Sequence, residues 1–437
     1  MNYSLIYSNV HNPMFIKKPL YEKTKVENKN IKPISVLFVV IDSVSRLNLI
    51  RTMPKTHKYL LQSGFYEMKG YNKIDDNTFP NFNALLTGFN LKQSREICQP
   101  DKIGMLDVCP MIWYDYKNLG YVTAYAEDHT SISTYNYFKR GFSNPPTDYY
   151  FKPYFEASEY LGTRMQDYMP FCAGPESAGE RVLNLANDFS KTYLNVPKFG
   201  IFWMNTFSHN HINSPTRMDE KLLEFFQDLK LNGVFDDSIV IFLSDHGIRF
   251  GEVRQTTTGW FEERLPMNLI SLPKWFKQKY PEETANLEKN QHKLTTTFDV
   301  YQTLQHLLVL SGKNYTETSC QGAPSCTSLL KHISTSRHCQ DAGIPDEWCS
   351  CTGYFSQIAT DSSIVINGAL GIIDKHLKHT YYDNYTLDVV KKATLSENFK
   401  GNEYLLVTSQ TKPFAVFNSL LRFTNSTLNL IQMLKVA

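Results

Sequence analysis

Three observations predict an α/β fold with a mostly parallel central sheet for this chain of 437 residues. Apolar, β-branched runs recur along it with helical segments between them. The first of these runs shows no polar alternation, as a strand buried on both faces requires. Each run also ends in polar groups able to do chemistry, and in such sheets a site forms beyond the carboxyl ends of the strands.

The first run is "ISVLFVVID", residues 34–42, ending at Asp42. "SVSRLNLIRTMPKTHKYLLQSG" then reads as a loop and a helix with Gly64 near its end. Further strands are predicted at 120–128 ("GYVTAYAED"), 198–209 ("KFGIFWMNTFSH") and 238–247 ("SIVIFLSDHG"), with helices over 177–193 and 217–231. Their ends supply Glu127 and Asp128, His209, and Asp245 with His246. Four such endings together read as one site. Beyond about residue 310 the texture changes. A cysteine-rich stretch precedes "SSIVINGALGIIDKH", "NEYLLVTSQ" and "PFAVFNSLLRFTN", which read as strands of a smaller, partly antiparallel sheet. The expected organisation is an N-terminal extension (1–33), a main domain (34–310), a cysteine-rich segment (311–352) and a C-terminal β-rich subdomain (353–437).

Composition narrows the class. The chain is 42% hydrophobic and 14% aromatic, so it folds around a large core. Its 45 basic and 43 acidic residues give a net charge of +2, which argues against nucleic-acid binding through a phosphate-attracting field. Eight cysteines without zinc-type spacing, five of them between 320 and 351, read as disulfides of an oxidising compartment. Sequons at Asn2, Asn314, Asn384 and Asn425 agree with an extracellular or secretory location. The first 25 residues hold no uninterrupted apolar signal region, and no run is long enough to span a membrane. Either the chain is cytoplasmic or it is missing its signal or anchor, and the cysteines favour the second reading.

The stretch "DDNTFPN", residues 75–81, has the chemistry of a turn. Asp76 or Asn77 is placed to cap a short helix starting near Pro80. It also places Thr78 where chemistry is needed. Asp42, Asp245 and His246 form a divalent-metal set of two hard carboxylates and an imidazole. A threonine hydroxyl is a poor nucleophile until a metal ionises it. Asn81 would then donate its amide to a substrate oxyanion. For "SDHG" taken alone, a helix cap beside a surface histidine explains the residues equally.

The order of strand-ending Asp42, Thr-Phe-Pro-Asn and strand-ending Asp-His-Gly resembles the alkaline phosphatase superfamily. "TFPN" looks like the nucleophile motif of its nucleotide pyrophosphatase/phosphodiesterase branch. "LFVVIDSVSRLN", "YAEDHT", "SDHGIRFGEVRQTTTGWFEERLP" and "LTTTFDVYQTL" are together similar to a family of sulfatase-like ectodomain proteins of animals. The resemblance spans most of residues 34–437. It implies an α/β/α sandwich with a smaller C-terminal sheet. It further implies that Asp42, Thr78, Asp245 and His246 bind metal, that Thr78 attacks, and that Asn81 and His209 contact the substrate anion. Zinc or manganese is the implied ion, with calcium a further candidate.

Three departures qualify the likeness. Sulfatases carry a Cys or Ser, followed by Pro and Arg, that becomes formylglycine; Thr78 stands there and no C-x-P-x-R occurs. A second metal would need further ligands, and the usual Asp-x-x-x-His pair is missing near His209, leaving His211 and His292 to be recruited. One metal is therefore expected. Glu127 and Asp128 replace a Lys/His pair, and either meet a cationic or hydroxylated part of a substrate or cap a loop. Glu262, Glu263 and Arg264 read as an internal ion pair, or in the family reading as closing the sheet behind the site. The expectation is a metal-dependent hydrolase or transferase of small-molecule, glycan-linked or lipid-linked phosphate esters. Alternatives are an inactive extracellular binding protein keeping the fold, and a sulfuric-ester hydrolase.

Overall fold

The structure, a computed structural model, describes residues 7–17, 32–351, 356–373, 385–397, 403–412, 414–424 and 427–435. Two compact units comprise Met1–Ile344 and Pro345–Ala437. The cysteine-rich segment is thus divided between them. Much of it belongs to the first unit because Asp299 binds it. That carboxylate accepts from the Thr327 N–H at 2.8 Å and pairs with Arg337 at 2.9 Å.

In the first unit β1 (Ser35–Ile41) lies between β9 (Lys198–Met204) and β10 (Ser238–Leu243). Beyond β9 the sheet continues through β4 (Val122–Glu127) and β5 (Tyr149–Tyr150), all five strands parallel. On the other side β11 (Asn268–Ser271) runs antiparallel to β10, and β2 (Tyr66–Glu67) antiparallel to β11. The four predicted strands are present: β1 and β4 end one residue before the predicted runs, and β9 and β10 several residues before theirs. Between β9 and β10 the chain crosses from one side of β1 to the other, and the crevice above that crossing is where ligands bind in open parallel sheets.

Side chains of a strand alternate between the two faces of the sheet. One face carries Leu37, Val39, Phe202 and Phe242 into a core shared with Leu49, Leu60, Phe189 and Phe226. Those four come from α1 (Arg46–Thr52), α2 (Pro54–Gln62), α4 (Ala178–Thr192) and α5 (Asp219–Leu231). On the opposite face Trp203 meets Phe82 of α3 (Thr78–Thr87) with ring centroids 4.6 Å apart. Ile239 and Ile241 there line a small cavity with Val300 and Leu307 of α7 (Thr297–Leu310). Helices on both faces make an α/β/α sandwich. Short strands β3 (Gly70–Asn72) and β12 (Leu294–Thr296) pair separately, as do β6 (Thr163–Gln166), β7 (Met169–Ala173) and β8 (Glu176–Ser177).

The second unit holds an antiparallel sheet of β13 (Ser356–Gln357), β14 (Thr386–Glu397), β15 (Glu403–Lys412), β16 (Ala415–Thr424) and β17 (Thr427–Lys435). "SSIVINGALGIIDKH", expected as a strand, instead forms α8 (Ser363–Ile372). Its apolar residues Val365, Ala369 and Ile372 are buried at helical spacing against β14 and β15. Ten residues with a 3.6-residue repeat outweigh the local β-branched content.

Phe202 is fully buried in the first core. Phe202→Ala is expected to cost about 3–5 kcal/mol, cavity included. Denaturant unfolding of the two proteins measures it.

Candidate metal centre and nucleophile turn

Register decides which groups emerge together. Ile41 pairs with Met204, Val40 with Leu243, and Glu127 with Trp203, so four parallel strands end nearly level. Asp42 and Ser43 leave β1 just where Ser244, Asp245 and His246 leave β10. Ser43 has φ +62°, a left-handed conformation uncommon for a residue with a side chain. That twist turns its N–H toward Asp245 Oδ1 (3.3 Å) while its hydroxyl donates to Asp42 Oδ1 (3.0 Å).

Asp42, Asp245 and His246 are all buried, with one ligand atom from each within 4.8 Å of the others. His246 Nδ1 lies 2.9 Å from the Gly247 carbonyl oxygen, so that nitrogen carries the ring hydrogen and Nε2 is bare. Burial pushes the imidazole pKa down to about 3, which keeps it neutral. Nε2 then stands 3.1 Å from Asp245 Oδ2 and 3.8 Å from Asp42 Oδ1. Both Nε2 and Asp245 Oδ2 lack a hydrogen-bond partner among the described residues. Two buried lone-pair donors facing each other repel unless a cation joins them. Burial also raises the Asp42 carboxyl to about 7 and the Asp245 carboxyl above its usual range. Hard oxygen donors with one imidazole fit a divalent ion such as zinc or manganese.

Thr78 lies close enough for its hydroxyl to favour the ionised form of the Asp245 carboxyl, against the effect of burial. The helix begins at Thr78 and not near Pro80, with Asn77 in the capping position but making no side-chain cap bond. The N–H groups of the first turn are therefore left without a cap. Asn81 behaves differently from expectation. Its Oδ1 accepts from the Ile74 N–H at 2.8 Å, and its amide donates to the Asp75 and Asn77 carbonyls, each at 2.9 Å. Both amide hydrogens are used inside the turn, so Asn81 shapes the turn that carries Thr78 and has no donor left for a substrate.

His209 also reaches the group, with Nε2 3.9 Å from Asp42 Oδ2. Asn210 donates its amide to the Asp167 carbonyl, so Asn210 Oδ1 faces His209 Nδ1 and fixes the hydrogen there. Nε2 is again a bare acceptor, suited to take a proton and unsuited to donate to an anion. His211 and His292 are exposed, and His211 Nδ1 accepts from the Asn213 N–H. Neither belongs to the buried Asp42, Asp245 and His246 group.

Glu127 and Asp128 cap loops. Asp128 accepts from the backbone N–H groups of Asn205 (2.8 Å) and Thr206 (3.1 Å). Glu127 accepts from the Thr134 N–H, the Asn205 amide and the Tyr125 hydroxyl. The pair shapes the loop after β9 that carries His209.

Arg249 was passed over in the sequence, although it lies three residues beyond His246. It pairs with Asp76 Oδ2 at 3.3 Å, and its Nε is buried without a hydrogen-bond partner. Of the charges around Asp42, Arg249 does most to offset burial of the carboxylate. A cation in this place gives the crevice an anion-attracting wall.

Disulfides join Cys98 to Cys109 and Cys320 to Cys326, and Cys339 and Cys349 are disulfide-bonded as well. Among the described residues Cys172 and Cys351 are free. Asn314 is exposed, while Asn2, Asn384 and Asn425 lie outside the described residues. No helix among the described residues is long and apolar enough to cross a membrane.

Residues 3–390 match the model of a family described as "protein of unknown function (DUF229)". No curated protein matches the chain. Among solved structures, a protein in the alkaline phosphatase superfamily from Vibrio parahaemolyticus is 13% identical, with a TM-score of 0.44, over 95% of this chain and 90% of that one. The lipoteichoic acid synthase LtaP from Listeria monocytogenes is 13% identical, with a TM-score of 0.43, over 91% of each chain. Phosphonate monoester hydrolase SpPMH from Silicibacter pomeroyi is 13% identical, with a TM-score of 0.45, over 90% of this chain and 89% of that one. Likenesses this distant do not speak to substrate.

Burial raises the Glu127 carboxyl to about 7, against 4.5 in an unfolded chain. The folded state therefore keeps a proton that the unfolded state releases. Stability falls as pH rises from about 4.5 to 7, by about 3 kcal/mol for this group. Glu127→Gln, which cannot ionise, should unfold with a correspondingly shallower pH dependence in denaturant titrations over that window.

Proposed function

The chain belongs to the DUF229 family, and we propose that it is a metal-dependent hydrolase or transferase of phosphate esters that works through a covalent phospho-threonine at Thr78. One observation carries the reading. The bare, buried Asp245 Oδ2 and His246 Nε2 sit beside a threonine hydroxyl that favours the ionised form of that same carboxyl group. Asp42, Asp245, His246 and Thr78 would hold one divalent cation, zinc or manganese before calcium, which when bound supplies the positive charge that favours an ionised hydroxyl.

The remaining roles fall to the chain's own groups. Thr78 Oγ attacks phosphorus as the ester oxygen of the leaving group departs, and Asp245 takes the hydroxyl proton. The uncapped first-turn N–H groups of α3 and the Arg249 guanidinium receive the charge on the non-bridging oxygens. In the second half, water or an acceptor hydroxyl attacks the phospho-threonine and loses its proton to His209 Nε2. That attack frees Thr78 and releases either phosphate or a transferred phosphoryl product. Threonine at the nucleophile position, where formylglycine chemistry needs Cys or Ser, favours phosphoric over sulfuric esters. Disulfides support an extracellular or secretory setting, with a small-molecule, glycan-linked or lipid-linked substrate.

Elemental analysis and turnover of an aryl phosphodiester and an aryl phosphomonoester test the reading. Wild type should hold one metal per chain, and Asp245→Ala should lose both metal and turnover. Thr78→Ala should stay folded and lose turnover by roughly a thousandfold or more. Substantial activity in Thr78→Ala removes the nucleophile. A well-folded wild type with neither metal nor turnover favours a binding protein instead.

A further inference from the structure

Glu263 lies at the end of α6 (Thr257–Arg264), outside the group of metal ligands, and is 2% exposed. Its carboxylate gathers three cations. Lys73 Nζ sits 3.0 Å from Oε1, Arg254 donates to both oxygens at 2.9 and 3.0 Å, and Arg264 Nη1 lies 3.7 Å from Oε2. The nearby charges of Lys73, Arg264 and Arg254 hold this carboxyl well below the usual range despite its burial.

Two of those cations reach onward. Lys73, itself fully buried, donates to the Asp76 carbonyl at 3.3 Å, two residues before Thr78. Arg254 Nη1 donates to the Arg249 carbonyl at 3.2 Å, on the segment that follows His246. Backbone contacts run the same way. The Gly247 N–H donates to the Glu263 carbonyl at 3.1 Å, and the Lys73 N–H to the Arg264 carbonyl at 2.9 Å. Gly247 fits this approach because it has no side chain; a Cβ there would stand 1.9 Å from the Glu262 carbonyl oxygen.

We infer that Glu263 is a positioning residue that fixes both walls of the site, the nucleophile turn through Lys73 and the Arg249 segment through Arg254. The inference rests on the function proposed above. A carboxylate shared by both arms couples their positions, since moving either cation disturbs a buried ion pair that the other also uses. Misplacement of a reacting group by an ångström costs up to about a hundredfold in rate.

The test uses full-length Glu263→Gln loaded with Mn²⁺ or Zn²⁺, with aryl phosphate ester turnover measured per folded, metal-loaded molecule. The expected result is a kcat lower by about tenfold to a hundredfold, with KM within about twofold. A role confined to stability would lower the melting temperature and leave that kcat unchanged, which overturns the inference. If Glu263→Gln does not fold, Arg254→Met decides. It removes one arm and keeps the Lys73 pair, so a tenfold loss of kcat supports the inference and an unchanged kcat overturns it. Where wild type turns over neither ester, the functional reading has failed and the cation dissociation constant becomes the readout. Weakening by about tenfold in the same variant supports the brace, while unchanged affinity, or a wild type that binds neither cation, overturns it.

Discussion

Two carboxylates and a bare imidazole nitrogen held together out of water repel one another, and the upper half of the first unit is arranged around that repulsion. The sheet brings them together because β1 and β10 are parallel neighbours that end in register. The surrounding chain answers with positive charge at a distance and hydrogen-bond donors nearby. Arg249 and Ser43 address Asp42, while Ser43 N–H and Thr78 address Asp245. None of these reaches Asp245 Oδ2 or His246 Nε2, which keep no hydrogen-bond partner among the described residues. A cation bound at the proposed site would therefore depend on pH as well as on concentration, because a proton on Asp42 would compete with it.

The strands of the parallel sheet were legible because each is a buried run, and a run buried on both faces leaves an apolar signature that needs no partner to be read. The second unit was less legible. In α8 the apolar residues obey a helical repeat that was outweighed, in the sequence, by the isoleucines and valine at its start. Within the site, legibility followed chemistry. Asp42, Thr78, Asp245, His246 and His209 are residue types with obvious uses at strand or turn ends, and the structure brings all five together.

What was hidden is pairing across long separations. Nothing local reveals that Asp128 serves Asn205 and Thr206 from 77 and 78 residues away. The same holds for Lys73 and Glu263, which are 190 residues apart. A buried lysine looks like any other lysine until its partner is known. Glu127 and Asp128, open in the sequence to a substrate contact or a loop cap, act as caps, satisfied by loop backbone and side-chain donors together. The signal that marked Arg249 was its place within the Asp-His-Gly-Ile-Arg-Phe run, which the other residues of that motif overshadowed.

The placement of β1 has a consequence for how the protein is made. Its two neighbours in the sheet begin at residues 198 and 238, so this strand waits for partners roughly 160 and 200 residues behind it. At translation speeds of 5–20 residues per second that delay is about 10–40 s. Throughout it a seven-residue apolar strand has neither edge covered. Non-local pairing of this kind folds slowly and leaves the nascent chain exposed to aggregation. Because β1 and β10 carry Asp42, Asp245 and His246, that group cannot come together until the sheet closes, so it forms only once most of this unit has been made and folded.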